Sequence, residues 1–129
     1  MSTLNLGTIK SLTADTPTVF KDSSDTEIGQ LCRAWVTLNG QGVIAILDSF
    51  NVSSITDINA GQYTITWDTD FDNAYYCVSG FAGVLSGPTT NKQDPQVSLI
   101  AVGSMKVVYC NVSGTNVDPT YACVAAFAN

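Results

Sequence analysis

From about residue 30 onward, apolar residues recur with a period near two, and clusters of Gly, Pro, Asn, Asp and Ser interrupt them too often for a long helix to form. Side chains of an extended strand alternate between two faces. In Leu31 to Leu38, alternation puts Cys32, Ala34, Val36 and Leu38 on one face and Leu31, Arg33, Trp35 and Thr37 on the other. Asn39-Gly40-Gln41-Gly42 then supplies residues suited to a tight hairpin. Val43 to Asp48 follows as a second strand, apolar on both faces for five residues, so it is expected either at the centre of a covered sheet or against a partner subunit. Ile44, Ile46 and Leu47 are the candidate subunit-interface residues.

The pattern continues through Phe50 to Asp57, a turn at Ile58 to Gln62, and the cleanly alternating Tyr63-Thr64-Ile65-Thr66-Trp67. Tyr75 to Phe81, Gln96 to Ala101, Met105 to Asn111 and Tyr121 to Phe127 complete the set. A chain of 129 residues suits one domain, and many short antiparallel strands pack most economically as two layers. The expected fold is therefore all-β, an antiparallel β-sandwich of jelly-roll-like form, over residues 30–129, preceded by an extended N-terminal arm or attachment segment over residues 1–29. Removing the final strand is expected to expose a sheet edge. Gly83, Gly87, Pro88 and Pro95 mark a long loop over residues 82–95, a candidate exposed recognition element in which Gly87, Thr89, Asn91 and Gln93 are the polar or small tip residues.

Trp35, Trp67 and Tyr63 are expected in the core, whereas Tyr75, Tyr76 and Tyr109 are candidates for an interface or a saccharide-binding patch. Cys32, Cys77, Cys110 and Cys123 are widely spaced within strand-like segments, and a chain that can bury a core without cross-links is expected to keep them as free buried thiols.

The chemistry of function classes narrows further. Charged residues make up 12% of the chain and five basic groups face eleven acidic ones, for a net charge of -6. No run of Lys or Arg could neutralise a phosphate backbone, so no nucleic-acid partner is expected. Val43 to Leu47 is far shorter than the roughly 20 residues of a spanning helix, so no membrane insertion is expected. The N-terminus has neither a basic region nor an apolar signal core, so conventional secretion is not indicated, and the acceptor triplets at Asn51 and Asn111 carry no functional weight.

Histidine is absent, which removes Ser-His-Asp and Cys-His catalysis and most catalytic zinc sites. Asp68-Thr69-Asp70-Phe71-Asp72-Asn73 opens like an oxygen-ligand calcium loop, but the sixth position is not Gly and the twelfth is Ser79. Gly40-Gln41-Gly42 lacks the Lys-Ser/Thr pair of a phosphate loop. Asp48 and Asp57 flank one stretch without a readable separation. The chain is thus expected to be non-catalytic, with no catalytic, cofactor-binding or metal-binding residues and no cofactor.

One long pattern is more specific. Gly29-Gln30-Leu31-Cys32-Arg33-Ala34-Trp35-Val36-Thr37-Leu38-Asn39-Gly40 through Asp57, with Gly61 to Trp67, Asp72 to Tyr76 and the opening Met1 to Lys10, resembles tail-fibre-like structural proteins of marine and cyanobacterial bacteriophages. The chain departs from that pattern at Gln41, where Thr is usual, at Leu47, where Arg is common, and at Ile58-Asn59-Ala60, where the turn is usually more polar. The resemblance implies a virion structural protein assembled in the host cytoplasm. Its implied role is a tail or tail-fibre component acting in virion assembly and host-surface attachment. The implied partners are itself as a homotrimer, other virion structural proteins, and a host cell-surface glycan or protein. Capsid decoration, as a cement protein on the phage shell, is the alternative. No catalytic residues carry over.

Overall fold

A computed structural model describes residues 7–9, 18, 20–29, 31–83 and 94–128. The described strands are β1 (Phe20–Lys21), β2 (Glu27–Gly29), β3 (Cys32–Asn39), β4 (Ala45–Phe50), β5 (Val52–Asn59), β6 (Gln62–Trp67), β7 (Cys77–Gly83), β8 (Asp94–Ala101), β9 (Ser104–Cys110) and β10 (Tyr121–Phe127). β1 and β2 form a small antiparallel hairpin. Its turn is held by the Asp22 carboxylate, which accepts from the Ser24 and Thr26 backbone N–H groups at 2.8 and 3.0 Å.

The other eight strands make two antiparallel four-stranded sheets, β4-β3-β10-β7 and β5-β6-β9-β8, stacked as a jelly-roll-like β-sandwich. β3–β4, β5–β6 and β8–β9 are hairpins within a sheet, while β4 to β5, β6 to β7 and β9 to β10 cross between sheets. The C-terminal strand β10 lies between β3 and β7, so its loss would split the sheet and expose the facing edges of both neighbours. β4 is an edge strand, not the central strand that its two-sided apolar sequence allowed.

The core forms where the inward faces meet. β3 contributes Ala34, Val36 and Leu38 and β10 contributes Ala122, Val124 and Ala126; opposite them stand Tyr63, Ile65 and Trp67 of β6 and Met105, Val107 and Tyr109 of β9. Small alanines on one sheet leave room for the large side chains of the other, which is how two layers reach crystal-like packing density. Each fully buried aliphatic side chain here contributes about 1.5–3 kcal/mol through removal from water.

An aromatic plug adds to this core. Phe71 stacks on Tyr76 with centroids 4.4 Å apart, and Trp67 meets both edge-on at 5.4 and 6.0 Å. The Tyr76 hydroxyl lies 3.1 Å from the Ala101 and Ser104 carbonyls, to which it donates, and accepts from Trp67 Nε1 at 3.4 Å. Arg33 covers the Phe71 ring at 5.5 Å and lies 3.6 Å from Asp72. Tyr76 and Tyr109, read from sequence as surface candidates, are therefore core residues, whereas Tyr75 is 93% exposed. Trp35 corrects the other way: it points outward from β3 and is half-buried, because Ala34 and Val36 take the inward positions.

Two polar devices fix the corners. At the β4–β5 crossing, Asn51 adopts φ 55° and its amide donates to the Arg33 and Thr69 carbonyls at 3.2 and 3.1 Å while its oxygen accepts from Thr69 N–H at 2.7 Å. Asparagine tolerates this left-handed backbone and replaces the ladder bonds lost where the chain leaves one sheet. At the β5–β6 turn, Gly61 has φ +65°, and a Cβ there would lie 2.6 Å from the Tyr109 carbonyl. Asp118 accepts from Gly61 N–H at 2.6 Å and from the Tyr63 hydroxyl at 2.7 Å, tying this turn to the segment before β10.

Candidate interaction surface

Strand register determines what each sheet presents to its outside. In β4-β3-β10-β7 the inward row is Ser49, Val36, Val124 and Gly80. The flanking outward rows are Phe50, Trp35, Ala125 and Ser79, then Asp48, Thr37, Cys123 and Phe81. Phe50 is 55% and Phe81 66% exposed. Phe127 pairs with Cys77 at one end of this face and Tyr121 with Gly83 at the other. Asp48 is the one charged side chain in the two outward rows. The surface is apolar, aromatic and almost neutral.

The opposite sheet is built by the same alternation. Its outward rows are Thr56, Thr64, Lys106 and Ser98, then Ser54, Thr66, Ser104 and Ala101, then Asn59, Gln62, Val108 and Gln96. These paired rows are mostly polar and hydrogen-bond to water, whereas the bulged edges of the same sheet expose apolar side chains, Leu99 at 77% and Ile58 at 53%. Exposed apolar faces are where interaction sites are commonly built.

The residues singled out from sequence fall in several places. Ile44 packs against the core, whereas Ile46 and Leu47 are 41% and 48% exposed along the β4 edge that borders the apolar face. Leu47 is the extra residue of a bulge between the Thr37–Asp48 and Leu38–Ile46 pairs. Gly87, Thr89, Asn91 and Gln93 of the candidate recognition loop lie outside the described residues.

Asp48 and Asp57 belong to different sheets, paired with Thr37 and Tyr63 respectively. Asp68, Asp70 and Asp72 are exposed, and among the described residues no group of three or more His, Cys, Asp or Glu side chains is placed to hold a metal ion. All four cysteines are free thiols; Cys77 is exposed rather than buried, and the other three are half-buried. Among the described residues no helix is long and apolar enough to cross a membrane.

The interior tyrosines are electrostatically perturbed. Burial, followed by the hydrogen bond to the Asp118 carboxylate, pushes the Tyr63 hydroxyl well above the usual tyrosine range. Burial also raises Tyr109 and Tyr76. The Tyr109 hydroxyl is enclosed without a hydrogen-bond partner, although its ring lies 6.1 Å from that of Tyr63. These groups hold the fold rather than face a ligand.

Sequence reasoning missed the apolar face itself. Its signal was present in the outward positions of Leu31 to Leu38 and in the alternate Tyr121, Cys123, Ala125 and Phe127 of the last strand. What was missing was the adjacency of these strands.

The chain matches no protein-family profile and no curated protein. Among solved structures it is similar to the crystal structure of the phiAB6 tailspike in complex with three-repeated oligosaccharides of Acinetobacter baumannii surface polysaccharide, with a TM-score of 0.57 and 17% identity. The match covers 98% of this chain and 31% of the tailspike chain. At this identity the likeness is one of fold. Fold and surface together define a β-sandwich module whose β4-β3-β10-β7 sheet carries exposed aromatic side chains on its outside.

Proposed function

We propose that this chain is a non-catalytic structural component of a bacteriophage tail or tail fibre. It acts in virion assembly and host-surface attachment, as a homotrimer in contact with other virion proteins, and resides in the virion after assembly in the host cytoplasm. The observation that carries this reading is the likeness in fold to a phage tailspike across 98% of the chain. The expectation drawn from Gly29 to Asp57, a tail-fibre-like protein, agrees with it. The apolar outer face suits an assembly role, because a module that works by contact needs a surface that gains from being covered. The tailspike was crystallised with bacterial surface oligosaccharides; a host cell-surface glycan or protein is accordingly the receptor class proposed here.

Electron microscopy of intact particles, with this chain located by density or by a specific label, tests the proposal. Signal confined to the tail supports it. The apolar face would serve equally well against a capsid lattice, so capsid decoration is the second reading, and label distributed over the shell would establish it and overturn the first. Prolonged incubation with host-surface polysaccharide should leave the glycan intact; turnover sensitive to a carboxylate substitution would overturn the non-catalytic assignment.

A further inference from the structure

We infer that Ser2 to Leu6 of the N-terminal arm adds to β7 as a fifth strand of the β4-β3-β10-β7 sheet, antiparallel to β7 and within the same copy of the chain. The inference goes beyond the function proposed above and does not depend on where in a virion the chain works.

The border strands of the two sheets differ in how they discourage a neighbour. An edge strand presents N–H and C=O groups without ladder partners, and proteins ordinarily guard it with a charge, a proline or a bulge. β4 has Asp48 and a bulge, β5 has Asp57 and two register shifts, and β8 has Asp94, Pro95 and a register shift before Ala101. β7, Cys-Val-Ser-Gly-Phe-Ala-Gly, has none of these, and its seven pairs with β10 run without a shift. Beside it an open cleft of about 290 Å³ separates β7 from β8, with Val78, Gly80, Val97, Val107 and Val124 in its lining. Gly80 is on the inward row, where a Cβ would lie 2.5 Å from the Cys123 carbonyl, so β7 itself cannot fill this space.

Pattern, reach and direction select the occupant. Ser2-Thr3-Leu4-Asn5-Leu6 alternates polar and apolar residues up to a bend at Gly7, and it holds no charged side chain, so its approach to an uncharged strand is unopposed. With Leu6 opposite Val78, alternation puts Leu4 opposite Gly80 and Ser2 opposite Ala82 on the inward face, and Thr3 and Asn5 outward beside Phe81 and Ser79. Leu4 then leans into the cleft that Gly80 leaves open. Phe20 pairs with Gly29, and Cys32 is joined to Cys77 through Phe127, so the root of the arm lies within about 25 Å of the start of β7. Gly7 to Ile9 are exposed, as a linker requires, and residues 7–19 span about 43 Å when extended, which covers that gap. An arm rooted near Cys77, with Leu6 nearest its root, runs antiparallel to β7, the pairing found throughout both sheets. A segment tethered in this way has an effective concentration on the order of millimolar at its own β7, above that of other copies at micromolar concentration.

Amide hydrogen exchange on the full chain tests this directly. The edge-facing N–H groups of β7 should exchange at least tenfold more slowly than in a chain lacking residues 2–6, with β4 exchanging alike in both. Leu4→Asp should abolish that protection, and Asn5→Asp, on the outward face, should preserve it. In a Cys77→Ser chain carrying Asn5→Cys and Ser79→Cys, mild oxidation at micromolar concentration should form a disulfide within one copy, because directly opposed strand residues lie within disulfide reach. Asn5→Cys with Thr64→Cys, on the opposite sheet, should form none. Circular dichroism verifies that each variant is folded. Exchange of β7 indifferent to the deletion, equal effects of Leu4→Asp and Asn5→Asp, or a disulfide formed only between copies would each overturn the inference. Labelling of intact particles reads the proposed function separately, so either can fail while the other stands.

Discussion

The outward side chains of β3 and β10 are Trp35, Thr37, Cys123 and Ala125, whereas those of β6 and β9 are Thr64, Thr66, Lys106 and Val108. The central strands of both sheets bury their inward side chains, with Leu38, Ile65, Met105 and Val107 at 0% exposure. The two layers therefore match inside and differ along the central strands outside. A Thr- and Gln-rich outer face is already satisfied by water, whereas the aromatic face leaves apolar area whose burial is favourable at about 25 cal/mol per Å². Stability of the sandwich rests on the inner rows, which leaves the aromatic outer row available for the contact proposed above.

The comparison breaks first if the inner rows are unequal. Leu38→Ala and Ile65→Ala, one from each sheet, should each cost about 2–5 kcal/mol in urea unfolding. A loss below about 1 kcal/mol in either would show that one layer contributes little to the core.

The facing tyrosines sharpen the inner comparison. Tyr63→Phe removes a hydrogen bond to the Asp118 carboxylate and should cost about 1.5–3 kcal/mol. Tyr109→Phe removes a buried hydroxyl that has no partner, so its unfolding midpoint should stay the same or rise. Equal losses for the two would contradict the distinct environments of these hydroxyls.

Alkaline titration probes the same groups without substitution. Tyr63, Tyr76 and Tyr109 have hydroxyls raised above the usual value near 10, so the folded state retains protons that the unfolded chain gives up. Their contribution is intact below about pH 10 and is lost as pH rises beyond it, by up to about 1.4 kcal/mol per pH unit for each. Absorbance at the tyrosinate band should show them ionising together with the loss of near-ultraviolet dichroism. Ionisation well before unfolding would argue against their burial.

The smallest effect on folding lies outside. Phe81→Ser and Phe50→Ser should change the stability of the isolated chain by no more than about 0.5 kcal/mol, the range of surface substitutions away from structural features. They should nevertheless lower the binding of an apolar fluorescent dye, while Thr64→Ser leaves it unchanged. Core-like destabilisation by Phe81→Ser would mean that the face is an intramolecular packing surface.

Much of this architecture was legible in the alternation. Ala34, Val36 and Leu38 share an inward face as their spacing requires, and Tyr63, Ile65 and Trp67 do the same. Size was the less dependable guide: Trp35 is large and apolar yet outward, because position along the strand, not hydrophobicity, decides the face. Tyr75 and Tyr76 are adjacent and identical in chemistry, but one is exposed and the other buried with its hydroxyl on two carbonyls. The segment that joins β6 to β7 between the two sheets has no regular period from which that choice could be read.

What the amino-acid sequence determined by itself was the period of two, the turns at Asn39 to Gly42 and within Ile58 to Gln62, and hence an all-β sandwich without a histidine-based site. These follow from local sterics within a few residues. The tertiary structure alone decided that β10 sits between β3 and β7, that the apolar β4 is an edge, and that Phe50, Trp35, Cys123 and Phe81, distant in sequence, share one surface. Strand pairing joins residues tens of positions apart through backbone hydrogen bonds that every residue except proline can make, so the side-chain pattern specifies which face a residue occupies but not which strand becomes its neighbour.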